Sequence, residues 1–135
     1  MRVILMMVMM MMVIVSTSHA NMDYLCTVKR VFSAMGESQG NSYLQSAVGK
    51  QFTVNRKTGV MAGALKNTFV NDPQVIDMGD KDNAFKVIAV LRRGEGVGAG
   101  SNMYALTIME FIKGEVKPFI FLVNTEVYLG ECKHF

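Results

Sequence analysis

The chain has 135 residues, half of them apolar, with 14 Lys and Arg against 11 Asp and Glu and a formal net charge of +3. That length fits one small domain. The charges are interspersed rather than gathered on one basic face, so the chain is not read as a nucleic-acid binder. Ordinary apolar content with only 2 Pro excludes a disordered or fibrous chain.

Residues 1–20 stand apart from the rest. Met1-Arg2 is a short positive start, Val3 to Val15 is uninterrupted apolar sequence, and Ser16 to Ala20 is a polar stretch with small Ser18 and Ala20. This is the layout of a secretory signal peptide cleaved after Ala20. Thirteen apolar residues rise only about 20 Å as helix, short of a bilayer core. The sequence therefore predicts an exported product, periplasmic or secreted, with no membrane attachment once the leader is removed. Residues 21–135 form the domain, with 13 Lys and Arg against 11 Asp and Glu, a net charge of +2.

Export gives meaning to the two cysteines of this part, Cys26 and Cys132. An even pair in an oxidising compartment reads as one disulfide. It closes nearly the whole chain, and loop entropy credits a loop of about 100 residues with ~4.7 kcal/mol. A structural metal would need four clustered ligands, whereas His134 is the only His after the leader. No cofactor is expected.

In chain order, Met22 to Val28 alternates with period two, as a strand does. Ser33 to Lys50 reads as a long polar connection with one helical turn around Ser42–Ala47. Phe52 and Val54 alternate with polar neighbours, and Arg56-Lys57-Thr58-Gly59 supplies a turn into a partner strand beginning at Val60. Pro73 breaks the chain, and Gln74–Met78 is a short strand. Ala84 to Leu91 alternates strongly. Met103 to Ile112 is the longest strand candidate, with Tyr104, Leu106, Ile108 and Ile112 on one face. Phe119 to Val123 is apolar on both faces and so is expected to be central or covered. Asn124-Thr125 turns into a last strand, Glu126 to Cys132. Seven or eight strands and at most one short helix define an all-β fold, a small antiparallel barrel or sandwich. The disulfide requires the first and last strands to lie close together.

Among chemistry-bearing features, Gly94, Gly96, Gly98 and Gly100 form a loop with Gly at every second position. It joins two strands without opening a helix, so it lacks the context of a phosphate cradle. It reads instead as a hairpin loop and a candidate mobile recognition loop. Asp80-Lys81-Asp82-Asn83 departs from a calcium loop and reads as a solvated turn. His134, near the end of the chain, is a poor triad member. Glu110 and Glu126 could form a carboxylate pair of the kind used in glycoside hydrolysis, and read equally as exposed partners of Lys residues. The chain is expected not to be an enzyme.

Phe52-x-Val54-x-Arg56-x-Thr58-Gly59-x-Met61-x-Gly63, Lys117-Pro118-Phe119-x-Phe121 and Tyr128-x-Gly130-x-Cys132 carry a resemblance. Together they look like a group of small exported bacterial proteins of unknown function, over most of residues 24–132. Tyr24-Leu25-Cys26 also resembles the Tyr-x-Cys near the mature start of periplasmic lysozyme inhibitors, which are small β-barrels, although the inhibitors' Trp-containing later motif has no counterpart in a chain with 0 Trp. The resulting expectation is a non-enzymatic binding or inhibitor-type domain. The alternative is a carrier of a small apolar ligand, with Met22, Met61, Met103, Met109 and the Phe residues lining its barrel. The candidate binding rim is Arg56, Lys57, Arg92 and Arg93, cations suited to an acidic groove on a partner protein or to an anionic glycan.

Overall fold

The computed structural model describes residues 22–35, 42–69, 71–96, 98 and 100–135. The proposed leader, residues 1–20, lies outside them. The fold is all-β, as expected. Its strands are β1 (Tyr24–Ser33), β2 (Gln51–Val54), β3 (Met61–Gly63), β4 (Gln74–Met78), β5 (Phe85–Leu91), β6 (Asn102–Ile108), β7 (Lys117–Val123) and β8 (Glu126–His134), with one helical turn, α1 (Ser42–Gln45). They form a single antiparallel sheet in the order β3-β2-β1-β8-β7-β6-β5-β4. The sheet curls into a half-barrel, so the sandwich alternative is removed.

Alternation in the sequence dictates the two faces. Tyr24, Cys26 and Val28 of β1, Phe85, Val87 and Ala89 of β5, and Phe119 and Phe121 of β7 point into the concave side and are buried. Curling brings distant strands into contact across that side. The rings of Tyr24 and Phe85 lie 5.2 Å apart, and Phe52 meets Phe119 edge-on, also at 5.2 Å. Side chains of this size each contribute roughly 1.5–3 kcal/mol when removed from water. Within the sheet, between β1 and β8, Cys26 stands opposite Cys132, and the two form the expected disulfide with a Cα separation of 3.9 Å.

Three expectations need correction. The first strand does not stop at Val28 but runs to Ser33, making β1 the longest at 10 residues. A β-bulge lets the polar pair Lys29-Arg30 interrupt the alternation without ending the strand: Val28 pairs with Gly130 and Arg30 with Leu129, leaving Lys29 as the extra residue. Conversely, β6 ends at Ile108, and Ile112 is exposed in a turn. The cause is Lys117, whose buried ammonium donates to the carbonyls of Glu110 and Ile112 and so holds residues 109–116 as a turn. Finally, the partner strand of β2 covers only Met61–Gly63. Beyond it the chain drops Leu65 and Asn67 into buried positions, and Phe69 stacks on Tyr104.

Each outer strand of the sheet is capped at one point by a side chain. Asn67 Oδ1 accepts from the Met61 N–H at 2.9 Å, and its amide donates to the Gly59 carbonyl at 2.8 Å, so it stands in for a neighbouring strand beside β3. At the other edge the Arg56 guanidinium donates to the carbonyls of Met78 at 3.1 Å and Gly79 at 2.9 Å, at the end of β4. Arg56 belongs to the turn after β2, so this contact draws the two edges of the half-barrel together.

Candidate functional site

The four cations of the expected rim are not assembled into one. Arg56 is held against Met78 and Gly79, which sit beside the Phe85 end of β5. Arg92 follows Leu91 at the other end of that strand, where its backbone N–H and guanidinium both bond Glu95, at 2.8 and 3.3 Å. Seven residues of strand, roughly 20 Å, separate them. Lys57 shares the exposed turn of Arg56, and Arg93 shares the exposed loop of Arg92. Because β2–β3 and β5–β6 turn at different ends, the cations serve local roles.

The glycine loop joins β5 to β6, and its start is pinned. The Glu95 carboxylate accepts from the Arg92 N–H and from the Asn71 amide, contacts that hold its carboxyl below the ordinary range. Gly94 takes a φ of +89°, which suits glycine at that turn. Gly96, Gly98 and Gly100 follow, with residues 97 and 99 outside the described set. Asp80 Oδ1 accepts from the N–H groups of Asp82 and Asn83, so its oxygen shapes a turn.

Glu110 is not an exposed partner of lysine. Its side chain is 12 % exposed and engages two groups at once: the Tyr24 hydroxyl donates to Oε2 at 2.8 Å, and His134 Nε2 meets Oε1 at 2.9 Å. His134 Nδ1 faces the Met22 carbonyl at 3.2 Å, and its ring packs at a tilt against Tyr24, centres 4.6 Å apart, with the Arg56 guanidinium also lying over the Tyr24 ring. Burial acts to raise the Glu110 carboxyl, but the bonds from His134 and Tyr24 and the nearby cations outweigh it and hold it below its usual range. Burial first, and the bond to Glu110 second, push the Tyr24 hydroxyl far up, so it stays protonated as a donor. Both Glu110 oxygens are engaged, one by Tyr24 and one by His134, which makes the trio a clasp joining β1, β8 and the turn after β6. Glu126 is likewise engaged, accepting from the Tyr128 hydroxyl at 2.7 Å. Sequence reasoning missed the clasp because Tyr24 and Glu110 lie 86 positions apart.

A second arrangement lies on the convex face. The β1 bulge sets Lys29 and Arg30, consecutive residues, both outward and exposed. Beneath them runs a groove of roughly 460 Å³ floored by Pro118, Ile120 and Leu129. Ile120 and Leu129 are cross-strand partners, and Leu129 also pairs with Arg30, so apolar floor and cationic lip share one register. Gly130 makes the bulge possible: a Cβ there would run into the Thr27 carbonyl and the Phe119 ring. The apolar surface continues to Phe32, which is 45 % exposed with Arg30 placed 5.8 Å from its ring centre. Lys29 is bridged to Glu131 at 3.8 Å.

Met22 and Met103, expected to line a ligand cavity, are each 48 % exposed, while Met61 fills the packed core and Met109 borders the outer groove. Among the described residues no three His, Cys, Asp or Glu are grouped to hold a metal ion, and no helix is long and apolar enough to cross a membrane. The fully buried disulfide is that of a protein from an oxidising, extracellular-type environment. Structure and chemistry together define a disulfide-tied half-barrel with an apolar, cation-lipped groove on its outer face. Comparison with protein-family models, curated proteins and solved structures gives no match.

Proposed function

We propose that the chain is an exported, non-enzymatic binding domain of the inhibitor type, acting in the periplasm or outside the cell on a partner protein held in the outer groove. The observation that carries this reading is the bulge in a central strand. Bulges gather at sheet edges and beside functional sites, where they re-aim side chains. β1 is an interior strand, third in the sheet and paired on both sides, and its bulge turns two cations onto one apolar groove. The leader-like residues 1–20 and the buried disulfide support export. An apolar floor suits a protein side chain better than an anionic glycan. The carrier alternative is weakened by the outward placement of Met22 and Met103.

The test is a photo-crosslinking residue at Thr107, which lies beside Ile120 on the outer face, with a control at Lys57. In the exported fraction, the Thr107 probe is expected to give an adduct that unlabelled protein competes away and that the Lys57 probe does not give. Absence of a competed adduct at Thr107 removes the reading.

A further inference from the structure

We infer that the partner element seated in this groove is a large apolar side chain flanked by carboxylates, an acidic knob on a protein surface. This rests on the binding reading above and narrows it to a chemistry. Two cations, Lys29 and Arg30, line the groove from β1, against one carboxylate, Glu131 of β8. Glu131 already neutralises Lys29. Among the described residues Arg30 has no carboxylate partner, only the Phe32 ring, so the lip presents uncompensated positive charge directly above Leu129.

The floor and the lip ask for different things from an occupant. Ile120 and Leu129 are half-buried and offer apolar contact but no polar group, so they reward a large aliphatic or aromatic side chain. The groove, roughly 460 Å³, has room for one or two such side chains. The cations above it reward carboxylates placed on either side of that anchor. Two other occupants fit worse. A second copy seated through the same face sets its cations against these, because a two-fold contact repeats the same patch on both sides. A lipid surface matches the charge but is flat at this scale and leaves the groove unfilled.

Burial of the anchor supplies most of the affinity, whereas the lip charges remain solvated. They contribute mainly to the association rate and to salt sensitivity.

The probe is a pair of synthetic hexapeptides with a shared Leu-Phe core, flanked by two Glu on each side in one and by two Lys in the other. Each is titrated into the isotope-labelled protein while backbone amide shifts are followed. Expected are saturable shifts at Arg30, Ile120 and Leu129 with the acidic peptide, about tenfold weaker binding of the basic one, and loss of the difference at high salt. The double variant Lys29→Glu/Arg30→Glu, both exposed positions, is expected to reverse the preference while core amides such as that of Phe85 keep their shifts. Equal binding of the two peptides, shifts elsewhere, no shift at millimolar peptide, or binding of phosphatidylglycerol vesicles in place of peptide overturns the inference. If the Thr107 crosslink forms but survives both charge reversal and high salt, the acidic chemistry is wrong and the binding reading stands. If neither crosslink nor peptide shift appears, both fall.

Discussion

Glu110 turns three distant residues into one unit, and its chemistry gives the fold an acid-sensitive point. Its carboxyl titrates lower in the folded chain than in the unfolded one. The stability it contributes is therefore present above the ordinary carboxyl value of about 4.3 and fades as pH falls through the lowered folded value. Urea unfolding between pH 7 and 3 is expected to show a decline on the acid side that Glu110→Gln makes shallower; an unchanged decline assigns it to other carboxylates. His134→Ala is expected to cost about 1–3 kcal/mol, because it leaves a largely buried carboxylate oxygen without a donor. Gly130 is the other residue on which much depends. Gly130→Ala is expected to lose about 3 kcal/mol or more, at the top of the overpacking range, since one neighbour is rigid backbone. A urea midpoint close to that of the parent protein counts against the collision.

At the scale of strands, the open sheet stays unpaired through its edges. Asn67 caps the start of β3 with an amide, and Arg56 caps the end of β4 with a guanidinium. Asn67→Ala removes both bonds of a buried group and is expected to cost about 2 kcal/mol. It also exposes a ladder edge, a template for pairing with other chains. Light scattering during storage is therefore expected to rise for Asn67→Ala and for Arg56→Ala, and to remain flat for Lys57→Ala on the same turn. Most strands were legible because their burial repeats every second residue. Phe85-Val87-Ala89 and Tyr104-Leu106-Ile108 are read directly from that period. What was not legible depends on partners far along the chain. Lys29-Arg30 looks like a strand end until Gly130, 101 and 100 positions on, is seen to accommodate the bulge. Ile112 continues the apolar period of β6, yet Lys117 captures the carbonyls around it and turns the backbone away. The groove and the clasp were hidden for the same reason, since each needs a register that only the folded sheet supplies.

For the molecule as a whole, the disulfide ties two neighbouring interior strands, β1 and β8, through residues 106 apart in sequence. Thiol titration of denatured, unreduced protein is expected to find about zero free thiols. Replacing both cysteines by serine is expected to cost about 2–5 kcal/mol, read from denaturant midpoints. Two titratable thiols in exported protein count against a structural bridge.

The place of β1 beside β8 has a consequence for the order in which the fold is made. As the chain emerges from its amino end, β1 leaves early, while the strand that completes its longest ladder leaves last. β2 and β3 can add to β1, and β4 through β7 can join in sequence, but the two groups share no sheet until β8 arrives between them. The closing step thus brings together residues about a hundred positions apart, the kind of contact that slows folding. A chain stalled before Glu126 holds two partial sheets with their inner edges bare. Such a molecule stays open along those inner edges until β8 joins them, and then closes in one step.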